Sequence, residues 1–246
     1  GAVCIADEVQ CGFGRTGSHF WGFETQGVVP DVVVLGKAMG NGVPLAGVVT
    51  TRKLADTFSD GGMEYFNTTG GCNAAIAAGT AVLRVIKESN LQQNAARVGD
   101  YLLTHLRRLQ DKHAFIGDVR GIGLFLGIEF VVPGNPKMLN YAPKLAKRVL
   151  NELKVKHRVL LATDGKHSSV IKIKPPLVMT IEDAAALIGS LANVLGDAKA
   201  KPIEFSILRE KDELYNRNLK RAREPAFDPI QACFSAVAIG LSLFYC

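Results

Sequence analysis

The sequence predicts an α/β protein, in which a parallel or mixed sheet covered by helices is followed by a smaller α+β part. Short apolar runs rich in β-branched residues stand at 2–6 and 32–35, bounded by Asp, Gly and Pro. An alanine-rich segment at 73–87 has the apolar spacing of a helix. With 246 residues, of which 48% are hydrophobic and 21% are charged, the chain can bury one or two cores.

The residues 1–91 are expected to form the carboxyl-terminal portion of a large sheet domain. Strands are predicted at 2–6, 32–35 and 43–50. The first two lack a polar face, which is typical of strands buried on both faces of a parallel sheet. The helix over 73–87 would pack over this sheet.

A smaller α+β domain is predicted over 92–196. Its segments are an amphipathic helix over 92–109, an alternating strand in DVRGIGLFLGIEFVV, a helix over 142–156, strands in VLLATDG and VIKIKPPLV, and a helix over 181–195. Thr180 with Asp183 three residues later predicts a capping box at the start of the last helix.

The remaining residues, 197–246, are predicted to be a basic linker and an apolar tail without regular structure. The linker carries part of the formal net charge of +6. Because no aromatic residues alternate with its basic ones, we expect no nucleic acid partner. The apolar tail holds about sixteen residues, short of the ~20 that span a membrane as a helix. A membrane tail anchor, a splice variant and an altered reading frame are the alternatives for it.

Cysteine and histidine residues are dispersed along the chain. The five cysteines have no CxxC spacing and the five histidines form no pair at metal-ligand spacing. We therefore expect free thiols in a reducing compartment and no metal. Gly1 leads directly into a strand without a methionine or a leader, so we expect a fragment whose targeting signal cannot be judged.

Asp7 and Lys37 each stand just beyond a predicted strand, in AVCIADEVQ and DVVVLGKAMG. Open α/β sheets bind ligands at the carboxyl ends of their strands, so we expect both side chains to face one crevice. An amine that forms a Schiff base and a carboxylate that keeps a pyridine nitrogen protonated suit pyridoxal phosphate. From this pair alone, a solvated lysine and a helix-capping aspartate explain the residues equally well.

Three further segments occur in one order: IADEVQCGFGRTG, PDVVVLGKAMGNGVPLAGVVTT and YFNTTGGCNAA. In this order and spacing the chain resembles class III pyridoxal-phosphate aminotransferases from about residue 1 to about residue 194. GMEYFNTTGG, GDVRGIGLFLGIE and VIKIKPPL are most similar to the branch of ethanolamine-phosphate phospho-lyase, 5-phosphohydroxylysine phospho-lyase and alanine–glyoxylate aminotransferase 2-like proteins. The resemblance implies a fold-type I transferase with pyridoxal 5'-phosphate as cofactor.

The resemblance also implies roles for individual residues. Lys37 matches the Schiff-base lysine, which also acts as the catalytic base, and Asp7 matches the partner of the pyridine nitrogen. Gln10 matches the residue near the ring hydroxyl. Thr68 matches the threonine that reaches the cofactor phosphate of a neighbouring subunit, which implies a homodimer or a dimer of dimers with shared sites. Thr69 is a rival for this role, and FNTTGG by itself indicates a glycine turn before a helix.

The chain departs from the family pattern at two places. GGCN replaces the usual GGNP, so that loss of the proline would displace the helix start or weaken the cofactor contact. Lys172 stands where many class III transaminases have an arginine that clamps the substrate carboxylate. Lysine is a point charge without that two-pronged grip, and the phospho-lyase-like members share it. Lys172, together with Lys174, is therefore a candidate for binding substrate phosphate, although strand-end lysines are usually solvated.

These residues favour a phospho-lyase, which would convert phosphoethanolamine and water to acetaldehyde, ammonia and phosphate. A transaminase of the alanine–glyoxylate type is the first alternative. It would use the same cofactor-binding residues, namely Lys37, Asp7, Gln10 and Thr68. A non-catalytic or truncated form is the second, because another phosphate-binding loop of the family lies outside this sequence. We expect the 246-residue chain alone to show little absorbance from bound cofactor. The resemblance implies a mitochondrial or cytosolic location.

Overall fold

Two sheets organise the chain in the computed structural model, which describes residues 1–62, 65–134 and 141–200. The first sheet has the strand order β1 (Ile5–Asp7), β2 (Val32–Leu35) and β3 (Gly47–Thr50). Strand β1 runs parallel to β2, and β3 runs antiparallel to it, so this sheet is mixed as expected. The predicted α/β fold class is confirmed.

The second sheet is antiparallel and has the order β4-β5-β7-β6. Its strands are β4 (Ile116–Ile122), β5 (Phe125–Phe130), β6 (Ala162–Asp164) and β7 (Val170–Ile173). The segment predicted as one alternating strand is in fact the hairpin β4–β5. Gly121 and Gly123, with φ of +140° and +53°, allow the chain to reverse there.

Five helices accompany the sheets in the described ranges: α1 (Arg52–Asp60), α2 (Asn73–Glu88), α3 (Leu91–Lys112), α4 (Pro143–His157) and α5 (Ile181–Ala200). All except α1 were predicted. Helix α1 has no buried residue, and its sequence places Leu54 and Phe58 four residues apart, as on one face of a helix, a short pattern that the prediction did not identify. None of the helices in the described ranges is both long and apolar enough to cross a membrane.

The predicted capping box at the start of α5 is present. The backbone N–H of Thr180 donates to Oδ2 of Asp183 at 3.0 Å, and the N–H of Asp183 donates to Oγ1 of Thr180 at 3.1 Å. Helix α5 continues to Ala200, past the predicted start of the linker at 197. The apolar tail and the rest of the linker lie outside the described residues.

The main core lies between the second sheet and helices α3, α4 and α5. Fully buried side chains from each of these elements fill it, among them Leu102, Leu106, Ile128, Phe130, Leu145, Ile171 and Leu191. All described residues fall within one compact unit, and the domain boundary near 92 remains a prediction.

The strands of the first sheet are more exposed to solvent than the sequence predicted. Ile5 in β1 is 63% exposed, and Val48 and Val49 in β3 are 64% and 58% exposed. Only Leu35 of β2 is buried in this sheet, where it packs near Phe13 and Ile86. The expected burial of β1 on both faces is therefore wrong for the described residues, because none of them forms a layer over its outer face.

Gly17 brings the loop after β1 against α3. It has a φ of +76°, and a Cβ there would lie 2.5 Å from the backbone N and Cα of Ala96. We expect Gly17→Ala to lower the free energy of unfolding by about 3 kcal/mol, because it combines backbone strain with overpacking. Gly27→Ala is the control, since Gly27 has a φ of +64° but no atom within 4 Å, and should cost about 1 kcal/mol. Equal losses in urea unfolding would contradict a role for the Ala96 contact.

Candidate active site

Asp7 and Lys37 lie at one edge of the first sheet. Asp7 is the last residue of β1 and pairs in register with Val34 of β2. Strand β2 ends at Leu35, and Lys37 opens the short 3₁₀ helix Lys37–Met39 directly beyond it. Because β1 and β2 are parallel, their carboxyl ends bring the carboxylate and the amine to the same side of the sheet.

A side-chain hydrogen bond shapes the backbone after Asp7, and the backbone at Lys37 has a positive φ. Oδ1 of Asp7 accepts a hydrogen bond from the N–H of Val9 at 3.1 Å, which turns the chain after β1. Lys37 has a φ of +36°, and its carbonyl accepts from the N–H of Asn41 at 3.1 Å. A positive φ costs a lysine about 1–3 kcal/mol, and residues held in this way cluster at functional sites. Both side chains are exposed, so the strained lysine presents its amine to an accessible surface.

Glu8 has a structural role that the sequence did not reveal. Its side chain is buried, with 3% of its surface exposed. Oε2 accepts from the N–H of Gly22 at 2.7 Å and Oε1 from the N–H of Phe23 at 2.8 Å, which anchors the 3₁₀ helix Gly22–Gln26 beneath the loop. Of the two adjacent carboxylates, Glu8 is therefore buried and holds the loop, whereas Asp7 is exposed at the sheet edge. Glu8 and Gly22 are 14 residues apart, so no local sequence pattern predicts their hydrogen bond.

Gln10 connects the two sheets. Nζ of Lys174 donates a hydrogen bond to Oε1 of Gln10 at 2.7 Å. Lys174 follows β7, so the end of a strand in the second sheet reaches the loop that follows β1 in the first. The two predicted domains thus meet next to Asp7.

Arg15 holds the same junction in place. Its Nη1 donates to the carbonyl of Leu124 at 3.0 Å and to that of Pro175 at 2.8 Å, while its own carbonyl accepts from the N–H of Leu124 at 3.0 Å. Burial lowers the pKa of Arg15. Because Pro175 directly follows Lys174, Arg15 fixes the backbone that carries this lysine.

The site has an uneven distribution of charge. Burial lowers the pKa of Lys174, and the positive charges of Arg15, Lys37 and Lys172 lower it further. Burial raises the pKa of the Cys11 thiol, and the nearby carboxylates of Glu8 and Asp7 add to this effect. Lys174 and the Cys11 thiol also act on each other, since the positive charge of Lys174 opposes the rise in the pKa of Cys11.

Lys172 has a carboxylate partner within the second sheet. Its Nζ donates to Oδ2 of Asp164 at 2.5 Å, and this hydrogen bond is the main reason that the pKa of Asp164 is lowered. Any substrate anion would compete with Asp164 for this ammonium. A role for Lys172 in substrate binding stays a prediction.

Thr68 lies in an exposed turn before α2. Oδ1 of Asn67 accepts from the backbone N–H and the hydroxyl of Thr69, at 2.9 and 2.8 Å. The hydroxyl of Thr68 has no hydrogen bond to any residue of the described ranges, and none links Thr68 to Asp7 or Lys37. Thr69 is thus engaged in the turn, and both threonines are exposed. Helix α2 begins at Asn73, as predicted, so the GGCN sequence leaves this start in place.

The donor set agrees with the expected cofactor. An amine and a carboxylate at the ends of neighbouring strands are the groups that an aldehyde and a pyridine nitrogen require. The nearest neighbours of a Cβ at Gly36 would be Val9 and Ala46, at 3.7 and 3.9 Å, which is ordinary van der Waals contact. In the described part of the chain, no three His, Cys, Asp or Glu side chains are grouped to hold a metal ion.

Comparison with known proteins places this site in context. The family model described as Aminotransferase class-III matches residues 1–195. The chain is 51% identical over 184 residues to alanine–glyoxylate aminotransferase 2-like of Drosophila melanogaster, covering 75% of this chain and 37% of that protein. It is 41% identical over 197 residues to ethanolamine-phosphate phospho-lyase homolog 1 of Caenorhabditis elegans, covering 79% and 42%.

Solved structures agree with the sequence comparison. A phospholyase from Arthrobacter in complex with phosphoethanolamine superimposes with a TM-score of 0.73 and 40% identity, covering 79% of this chain and 45% of that one. A transaminase with L-Ala gives a TM-score of 0.69 and 27% identity, covering 81% and 43%. The chain spans less than half the length of each of these four relatives.

Proposed function

Because the chain belongs to the class-III aminotransferase family, whose cofactor is pyridoxal phosphate, we propose that it supplies the active-site half of a phospho-lyase. The substrate would be phosphoethanolamine or a related phosphorylated amine. The observation that carries this proposal is the 40% identity to the Arthrobacter phospholyase in complex with phosphoethanolamine. The pairing of Asp7 with Lys37 at one sheet edge supports it.

Four residues of the chain would hold the cofactor. Lys37 would bond covalently to its aldehyde, Asp7 would keep its pyridine nitrogen protonated, and Gln10 would lie near its ring hydroxyl. Thr68 would contact the cofactor phosphate of a neighbouring subunit, and its exposure supports this role. We therefore propose a homodimer or a dimer of dimers with shared sites.

When bound, pyridoxal phosphate supplies an electron-accepting ring that makes the hydrogen on the amine-bearing carbon removable. The amine of Lys37, freed when the substrate binds, would take that proton. The electron pair left on carbon forms a carbon–carbon double bond as the C–O bond to phosphate on the next carbon breaks. Phosphate leaves with the electrons of that bond, and hydrolysis of the remaining unsaturated amine gives acetaldehyde and ammonia.

A transaminase of the alanine–glyoxylate type is the second candidate, and the 51% identity to the Drosophila protein favours it. It would use the same Lys37 to move the proton but would expel no phosphate. A third candidate is a chain without activity of its own, supported by its coverage of less than half of each relative. The names of the mitochondrial relatives from Arabidopsis and human support a mitochondrial location.

The test uses the protein expressed from its complete coding sequence. It compares two substrates that differ in their leaving group. With phosphoethanolamine we expect phosphate, acetaldehyde and ammonia in equal amounts. Ethanolamine is the matched control, since it has the same amine but a poorer leaving group, and should give no acetaldehyde. Conversion of alanine and glyoxylate without phosphate release would favour the transaminase. Phosphate release no faster than from a Lys37→Ala variant would reject the phospho-lyase.

A further inference from the structure

Lys174 is a partly buried cation at the candidate site that no carboxylate neutralises among the described residues. Its Nζ is held by Oε1 of Gln10 at 2.7 Å and lies 5.6 Å from the centre of the Phe125 ring. Both partners are neutral, so they orient the ammonium without balancing its charge. Lys172, two residues earlier, forms an ion pair with Asp164.

The ammonium of Lys174 also has unused hydrogen-bonding capacity. It has three donors, and Gln10 takes one of them. Arg15, Lys37 and Lys172 are close enough for their charges to lower the pKa of Lys174, in addition to the effect of its burial. Arg15 is committed to the carbonyls of Leu124 and Pro175. An anion that enters here would relieve the repulsion among these cations and use the free donors.

The position of Lys174 relates this anion site to the reacting groups. Gln10 lies on the loop that begins at Asp7, and Lys37 is near enough to affect the pKa of Lys174. The hydrogen bond to Gln10, on the loop that follows Asp7, thus places Lys174 at the candidate site, where it is available to a second, negatively charged group of a ligand whose amine faces Lys37. Arg15 restrains the backbone at Pro175, so the ammonium is held in place before the ligand arrives.

We propose that Lys174 binds the anionic group of the amine substrate, and that Gln10 positions Lys174 for this task. The proposal rests on the phospho-lyase function, under which the anion is a phosphate monoester on the carbon next to the amine-bearing carbon. Such a group carries two negative charges and accepts hydrogen bonds on three oxygens, and a lysine can serve it as a point charge. Because negative charge on phosphate grows as the C–O bond breaks, Lys174 would stabilise the departing group as well as bind the substrate.

Lys174→Met tests this proposal, since it keeps the length of the side chain and removes its charge. We expect KM for phosphoethanolamine and the inhibition constant of inorganic phosphate each to rise about 10- to 100-fold, which is the value of one lost hydrogen bond to a charged group. Lys174→Arg should recover most of the loss. Lys53→Met is the matched control and should change both constants less than about 3-fold, because Lys53 is an exposed lysine on α1, outside the candidate site.

The cofactor is monitored separately by its visible absorption and its dissociation constant. Both should be the same in the parent and in Lys174→Met, and loss of the cofactor would overturn the proposal by assigning Lys174 to the cofactor instead. Unchanged KM and phosphate inhibition would overturn it as well. If Lys174→Met does not fold, Lys174→Gln replaces it, because it retains a group that can bond to Gln10.

Calorimetric binding of inorganic phosphate separates this proposal from the proposed function. If the parent released no phosphate from phosphoethanolamine but bound inorganic phosphate through Lys174, the phospho-lyase would be rejected and the anion site would stand. If the parent acted as a phospho-lyase while Lys174→Met bound phosphate with unchanged affinity, only the assignment of Lys174 would fail.

Discussion

Lys37→Ala is expected to lower kcat for phosphate release by at least about 10³-fold, because it removes both the covalent attachment of the cofactor and the base that takes the proton. The fold should survive, since the side chain of Lys37 is exposed and has no hydrogen bond within the described ranges. Lys37→Arg should be equally inactive, because a guanidinium keeps the charge but does not bond to an aldehyde at neutral pH. Phosphate release under saturating phosphoethanolamine measures the effect.

Borohydride reduction shows whether Lys37 is the site of attachment. The reduced parent should gain the mass of the cofactor on the peptide that contains Lys37, and Lys37→Ala should gain none. Lys53→Ala is a matched control, because Lys53 is an exposed lysine on α1 and should leave both activity and labelling intact. Labelling of Lys174, the lysine that bonds to Gln10 at the same site, would contradict the assignment.

The sequence was sufficient for the parts of the fold that depend on local pattern. Strands β1 and β2 were recognised from β-branched apolar runs, and helices α2 to α5 from their apolar spacing. The capping box of Thr180 and Asp183 was recognised because its two members are three residues apart. The placement of Asp7 and Lys37 at one edge followed from the rule that parallel strands end together.

Interactions between distant segments could not be predicted in the same way. The hydrogen bond from Lys174 to Gln10 joins residues 164 positions apart, and that from Arg15 to Pro175 joins residues 160 apart. Each is fixed by how the second sheet packs against the loop after β1, which leaves no periodic trace in the sequence. The exposed helix α1 was missed for a different reason, because its nine residues hold only a short apolar pattern, Leu54 and Phe58, between polar residues.

Lys172 and Lys174 differ in their partners, and this difference changes which lysine is the better candidate for binding substrate phosphate. From the sequence, Lys172 was the candidate for substrate phosphate because it replaces an arginine of many transaminases. In the structure Asp164 forms an ion pair with Lys172, whereas Lys174 bonds to the neutral Gln10 and has no carboxylate partner among the described residues. Under the proposed anion site, binding of a doubly charged group would therefore depend more on the second lysine of VIKIKPPL than on the first.

Asp7→Asn is expected to lower kcat for phosphate release by about 10²-fold or more, the effect of removing one preorganised electrostatic partner. The substitution is nearly isosteric, and the amide oxygen can still accept the hydrogen bond from the N–H of Val9. The loop should therefore keep its shape while the negative charge opposite the pyridine nitrogen is lost. Without that charge the ring holds its proton less well and accepts electrons less readily, so proton removal by Lys37 slows.

Asp31→Asn provides the control for the loss of one carboxylate from the same sheet. Oδ2 of Asp31 accepts from the N–H of Cys4 at 2.8 Å, at the opposite end of the strand pair from Lys37. This variant should keep kcat within about 3-fold of the parent, because the charge it removes is remote from the reacting groups. Cofactor dissociation, followed by visible absorption, should be faster in Asp7→Asn alone. Equal kcat values for the two variants would mean that the charge of Asp7 does not act on the cofactor ring, and would leave Asp7 the structural role of turning the chain after β1.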